Sequence, residues 1–182
     1  MSKKKRSISR YTILASLFAA LIFLATAYLP RIPTALGYVH LGDGIVLLSA
    51  ALLPAPYALA ASAIGGGLAD LLTGYAVWLP ATVIIKALMA LCISCRKRAV
   101  SLRNVIGIIP AVLINAGGYY VFQAAFISSS FIVPLADLPF NLMQTVIGGV
   151  IFLLLGAIFD RIPSLRAMVH PKKENDEGSK TE

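Results

Sequence analysis

Two opposite charges, Asp70 and Lys86, lie within LADLLTGYAVWLPATVIIKALMAL, residues 68–91, a stretch otherwise apolar enough for a lipid bilayer. An ionisable side chain at mid-membrane costs several kcal/mol, so by default it faces a protein interior and has a partner or a purpose there. Gly74 and Tyr75 mark a turn between two antiparallel helices. Asp70 is about four residues below that turn and Lys86 about eleven, a depth difference of ~10 Å at 1.5 Å per residue. Lys86 can shorten or lengthen that gap, because its flexible stem carries the charge away from the backbone. Two roles stay open at this point. The charges form a buried ion pair that locks two helices, or they hold a polar ligand. In the second case Lys86 neutralises an anionic or electron-rich group, and Asp70 holds Lys86 or a ligand donor.

Other polar groups recur at helical spacing. Trp78, Thr82 and Lys86 follow one another every four residues, as do Asn115, Tyr119 and Gln123, so each trio falls within roughly 80° of one helix face. Further along, Asn141, Gln144, Thr145 and Gly148 share a face. Donors, acceptors and aromatic planes that converge at one level suit a small, polar, planar ligand in a water-filled pocket. For any single residue, an interhelical hydrogen bond is the alternative. Tyr38, His40 and Asp43, in GYVHLGDG, stand near the outer mouth of such a pocket. Asp43 is either part of the site or the N-cap of the second helix, a position that favours Asp; His40 is either a pocket residue or a solvated loop residue. The loop 30–41, with Pro30, Pro33 and Gly37, is long enough to act as a lid.

Small residues form a second pattern. Ala15 and Ala19 make an A-x-x-x-A in the first helix, repeated one position later by Ser16 and Ala20, and the third helix carries Ala58, Ala60, Ala61, Ser62 and Ala63 before Gly65, Gly66 and Gly67. Such faces let helices approach closely inside a membrane. The run in the third helix is assigned to internal packing, whereas the motif in the first helix suits a partner.

Much chemistry is missing. No G-x-x-x-x-G-K-[ST] loop occurs, so the triple glycine is not a nucleotide cradle, and there is no H-E-x-x-H or G-x-S-x-G. A zinc site needs about four ligands, and Cys92 and Cys95 of the C-I-S-C segment have only His40 and His170 to add, expected on opposite sides of the membrane. The expectation is a protein with no metal, no cofactor and no enzymatic activity. Any accumulation it drives takes its energy from an ion gradient or from separate ATPase subunits.

The elements that must position these residues are transmembrane helices. The 182 residues are 58% apolar and 13% charged, and the mean hydropathy is +0.83, a composition of polytopic membrane proteins. The net charge of +8 is clustered: five basic residues lie in 1–10, four in 96–103 and five from 161 onward, with Arg31 and Lys86 apart. Clusters at alternate ends of apolar runs follow the positive-inside rule, which makes nucleic acid binding an unneeded explanation. Spans need ~20 mostly apolar residues, and six candidates appear at about 10–29, 42–53, 57–73, 77–95, 104–127 and 140–160. The second is short, either starting earlier near Ala35 or entered by a loop at membrane depth. Pro54 and Pro56 predict a tight turn and Pro110 a kink. The basic start followed by an apolar run is read as a retained first helix and not a signal peptide. With the N-terminus cytoplasmic, fourteen basic residues fall inside against one outside. The division expected is a basic cytoplasmic N-terminus (1–9), a six-helix substrate-binding domain (10–160) and a polar cytoplasmic tail (161–182), disordered at its end.

The block from 38 to 91, YVHLGDGIVLLSAALLPAPYALAASAIGGGLADLLTGYAVWLPATVIIKALMAL, resembles the substrate-capture S components of energy-coupling factor (ECF) vitamin transporters. HLGDG and LADLLTGY...PAT...IK are its specific parts, and the six-span hydropathy extends the resemblance over 10–160. The nearest group includes carriers for hydroxymethylpyrimidine, pyridoxine-like compounds and riboflavin. The resemblance implies an all-α membrane protein of six transmembrane helices with both termini cytoplasmic, in a prokaryotic plasma membrane, that binds a vitamin or precursor from outside. It implies as partners a T component and two cytoplasmic ATPase subunits, the T component meeting Ala15 and Ala19. The ligand contacts assigned from the residues themselves are Asp70, Lys86, Trp78, Thr82, Asn115, Tyr119, Gln123, Asn141, Gln144, Tyr38 and His40. The best-suited ligand is hydroxymethylpyrimidine or a related small heterocycle, because one lysine, several amides and aromatics fit a small planar ring. A stand-alone proton-coupled carrier, with Asp70 titrating, is the alternative.

Overall fold

A computed structural model describes residues 3–34, 36–95 and 98–169. The chain is helical: α1 (Lys3–Ala27), α2 (Asp43–Leu52), α3 (Ala55–Leu72), α4 (Leu79–Leu91), α5 (Leu102–Phe122), α6 (Leu138–Arg161) and a short α7 (Pro163–Val169). Four segments, Ile8–Ala27, Ala55–Leu72, Leu102–Ile127 and Leu138–Arg161, are long and apolar enough to cross a membrane. Asp43–Leu52 and Ala76–Leu91 are apolar but shorter. All six expected segments are therefore helices, and four meet the length of a span unaided.

Local chemistry sets the boundaries. Leu53 is extended (φ −103°, ψ 149°) because Pro54 follows it, and the chain restarts as α3 with proline in its first turn. Gly74, at φ +89°, turns the chain out of α3, a conformation glycine adopts without steric cost. A 3-10 turn, Ala76–Trp78, then leads into α4. α5 runs through Pro110 and closes with a π-helical turn, Gln123–Ile127, an irregularity frequent at functional sites. Between α1 and α2 the chain forms a small antiparallel hairpin, β1 (Ile32–Pro33) with β2 (Tyr38–Val39), pairing Ile32 with Val39. That hairpin departs from a purely helical expectation, and it stiffens the predicted lid loop.

α3 packs against α1 and α4, while α2 sits among α1, α3, α4 and α6. The triple glycine makes the first of these packings possible. A Cβ at Gly65 would stand 2.6 Å from the Ala19 carbonyl oxygen of α1, and one at Gly66 would stand 3.2 Å from Lys86 Cγ of α4. The core joins Ile22, Val46, Leu47, Leu53, Met89 and Phe152. Outside it the usual order is reversed: Ile13 is 67% exposed, Leu113 63% and Leu154 61%, while Lys86, Asp43 and Asn115 are buried. Large apolar side chains outside and charges inside are what a lipid solvent selects. α7 occupies the start of the segment expected as a tail, and the rest of that segment, 170–182, lies outside the described residues, as do 1–2, Ala35 and 96–97.

Candidate functional site

The polar interior has two layers. In the deeper one, Lys86 Nζ donates to Asp43 Oδ1 at 2.6 Å and to Asn115 Oδ1 at 2.9 Å. The other Asp43 oxygen accepts from Gln144 Nε2 at 3.0 Å and from Thr145 Oγ1 at 2.9 Å. Asn115 Nδ2 in turn donates to the Asn141 carbonyl at 3.3 Å. Lys86 is 1% exposed and Asp43 0%. The lysine also stands 5.3 Å from the centre of the Tyr119 ring, close enough for a cation–π contribution.

This layer decides two questions that the sequence left open. Lys86 forms its ion pair with Asp43, not with Asp70. Gly42, not Asp43, is the N-cap of α2, without a side-chain cap, so the Asp43 carboxylate is released to α4 and α6. The choice of partner follows from depth: Asp70 lies near the α3 turn, whereas α2 begins only after the loop has descended to the level of Lys86. Gly148 of α6 lets the start of α2 in, because a Cβ there would stand 2.7 Å from Asp43 Cβ.

Above this layer lies a cavity of about 30 Å³, lined by Thr34, Gly37, Tyr38, His40, Asp70, Trp78, Thr82, Tyr119, Gln123, Asp137, Asn141 and Gln144. Residues from the hairpin loop, α3, the α4 entrance, α5 with its π turn, and α6 thus meet at one end of the bundle. Tyr38, His40, Asp70, Trp78, Thr82, Tyr119, Gln123, Asn141 and Gln144 of the expected ligand contacts are brought together there. Lys86 and Asn115 are not; they stand behind the wall, in the deeper layer.

The wall is aromatic on one side. Trp78 packs against Tyr119 and Phe122, with ring centres 5.9 and 5.6 Å apart, and the Thr82 and Tyr119 hydroxyls share a hydrogen bond of 2.8 Å. On the other side, Tyr38 donates its hydroxyl to Asp70 Oδ1 at 2.8 Å. Burial, reinforced by the Asp70 charge, raises the Tyr38 phenol above its ordinary value, so it remains a donor. The Tyr38 ring packs on Tyr75 with centres 4.5 Å apart, and the Arg31 guanidinium lies over the Tyr38 ring, 5.2 Å from its centre.

The loop is tied to the helices at two points. The His40 backbone N–H donates to Gln144 Oε1 at 3.1 Å. Because Gln144 Nε2 is committed to Asp43, the orientation of that amide is set by the ion pair below. His40 Nδ1 accepts from the Gly42 N–H at 3.1 Å, and burial lowers the imidazole to about 4, so the ring is neutral. The second tie is Asp137, just before α6, whose Oδ2 accepts from Thr34 Oγ1 at 3.0 Å, the Leu36 N–H at 3.1 Å and Gln123 Nε2 at 3.2 Å. The sequence does not single out Thr34 or Asp137, and it marks Gly37 only as part of the lid loop. The available signal for Asp137 is its place as an acid just before an apolar run.

Two acceptors remain unsatisfied. Among the described residues, Asp70 Oδ2 and Gln123 Oε1 are the buried side-chain atoms without a hydrogen-bond partner. On the outer flank of the bundle, Ala15 and Ala19 line a groove between α1 and α3, together with Ser16, Ala60 and Ile64. Cys92 and Cys95 donate to the Leu88 and Leu52 carbonyls at 3.5 and 3.3 Å.

A helical bundle that turns apolar side chains outward and closes a loop over a polar, aromatic cavity is a membrane-embedded binding protein. Residues 6–161 match the family described as ECF-type riboflavin transporter, S component, and the chain belongs to that family. It is a membrane substrate-capture subunit of an ECF transporter, from a family of transport subunits and not of enzymes. No curated protein matches the chain.

Proposed function

We propose that this chain captures a small planar heterocycle, a vitamin or vitamin precursor such as hydroxymethylpyrimidine, from outside the cell and presents it for ATP-driven uptake. The bundle crosses the plasma membrane six times with both termini cytoplasmic, a T component docks along the α1 groove at Ala15 and Ala19, and two ATPase subunits supply the energy. The observation that carries the reading is the cavity under the hairpin loop, where aromatic planes from Trp78 and Tyr119 face hydrogen-bonding groups from α3, α5 and α6. A free volume of about 30 Å³ admits one or two water molecules, so the ligand enters as the loop lifts and side chains part. A single ring asks for less displacement than the tricyclic flavin that the family's name carries. Asp70, Tyr38, Thr82, Trp78, Tyr119, Gln123, Asn141, Gln144 and His40 are assigned as the ligand's surroundings, with Lys86 and Asn115 acting through the residues they hold.

The test is native mass spectrometry of the protein purified gently from its own host, followed by uptake into vesicles. The expected result is a co-purified vitamin-sized molecule and uptake that requires T component and ATPases. Uptake that persists without them and collapses with the proton gradient would replace the reading with a stand-alone proton-coupled carrier.

A further inference from the structure

The deeper polar layer is saturated and the upper one is not, and the missing bonds are all of one kind. Asp70 is 4% exposed and Gln123 3%, both line the cavity, and each presents an acceptor oxygen without a hydrogen-bond partner among the described residues. Most neighbouring donors already have a partner. Tyr38 gives its hydroxyl to the other Asp70 oxygen, the Gln123 amide nitrogen goes to Asp137, and the Thr82 hydroxyl, which also stands beside Asp70, shares a hydrogen bond with the Tyr119 hydroxyl. Lys86, a buried cation, is bound to Asp43 and Asn115. Arg31 is exposed and does not line the cavity. A buried acceptor left unmade is costly, and cavity water meets that need only until a ligand displaces it. A ligand that cannot reproduce the water's hydrogen bonds then loses affinity.

We infer that the ligand meets this pocket with hydrogen-bond donors and without an anionic group: it is an amino-, N–H- or hydroxyl-bearing heterocycle in its unphosphorylated form, with Asp70 and Gln123 reading the donors. The inference rests on the capture reading above and narrows it. A phosphate or carboxylate on the ligand would sit beside the Asp70 carboxylate with Lys86 unavailable to neutralise it. A neutral donor-rich ring edge, or a protonated one, instead satisfies both orphan oxygens at once.

The test uses the full chain in detergent with matched probes: 4-amino-5-hydroxymethyl-2-methylpyrimidine, pyridoxine and riboflavin, each against its own phosphate monoester, with affinities from calorimetry. At least one parent compound is expected to bind, its ester at least about 10-fold more weakly, and Asp70→Asn and Gln123→Leu are each expected to weaken the parent by about 10-fold or more, the loss of a bond to a charged or buried group. An ester that binds within about 3-fold of its parent overturns the inference, as does an Asp70→Asn variant of unchanged affinity, which would mean that a neutral carboxylic acid donates there. Should Asp70→Asn fail to fold, the comparison of parent and ester on the unaltered chain, together with Gln123→Leu, decides. A folded chain that takes none of the probes overturns the heterocycle reading itself, a different failure from binding both members of a pair.

Discussion

The two polar layers of this bundle sit one above the other and share α4, α5 and α6, yet they obey opposite rules. In the lower layer, around Asp43 and Lys86, donors and acceptors are matched across α2, α4, α5 and α6. In the upper layer, Asp70 and Gln123 keep acceptors without partners. A satisfied network in a low-dielectric interior holds helices in one arrangement, whereas a partly satisfied one is costly unless something else completes it. The comparison teaches that a buried charge in a membrane protein is not by itself a sign of ligand binding. Lys86, the most conspicuous charge, belongs to the frame, and the less conspicuous Gln123 belongs to the pocket.

The comparison breaks most visibly at Lys86. Lys86→Met strands the Asp43 carboxylate, and losing one partner of a buried pair costs about 3–5 kcal/mol. The variant is expected to melt far below the parent protein in detergent, and Asp43→Asn combined with Lys86→Met to recover part of the loss. A Lys86→Met protein that melts normally but no longer binds ligand would move Lys86 from the frame to the pocket. Next in size is the loop tie. Asp137→Ala leaves Thr34, the Leu36 N–H and Gln123 without their acceptor, a cost of about 1–3 kcal/mol. It should appear as faster amide exchange over residues 36–40, with the helices protected as before.

Smaller effects sharpen the contrast. Asp70→Asn should leave the melting temperature unchanged or raise it, by up to about 1 kcal/mol of stability, because it removes a charge whose second oxygen has no partner. A large loss of stability would assign Asp70 to the frame. The smallest effect concerns His40. Burial, helped by Lys86 and Arg31 and opposed by Asp43, lowers the imidazole from 6.5 to about 4. The opened loop therefore binds a proton that the closed loop refuses, so closure is fully stable above pH 6.5 and weakens as the pH falls from 6.5 toward 4. The first pH unit of that window should cost the closed loop about 1 kcal/mol, measurable as Trp78 fluorescence against pH. His40→Gln should flatten that profile.

Much of this was legible before any coordinates. The apolar runs place all six long helical segments to within a few residues, except that α1 begins as early as Lys3. The four-residue steps of Trp78 and Thr82 and of Tyr119 and Gln123 put those side chains on the faces that meet at the cavity. The run of small residues in the third helix predicts close packing, and Gly65 and Gly66 approach α1 and α4 closely. The sequence left contacts open or unmarked where partners come from distant segments. Asp43 and Lys86 are separated by a loop descent that no periodicity records, Asp137 is joined to Thr34 across about a hundred residues, and the hairpin of the lid is too short to leave an alternating pattern.

The sequence by itself determined that the chain lives in a membrane, where its helices run and which polar side chains share a face, because hydropathy and helical period are local properties of consecutive residues. Only the tertiary structure decided which acid Lys86 satisfies, which residues tie down the loop and which buried acceptors are left without a partner. Those choices depend on the relative depth of helices that are far apart in the chain, and depth follows from how a short α2 is lowered between α4 and α6.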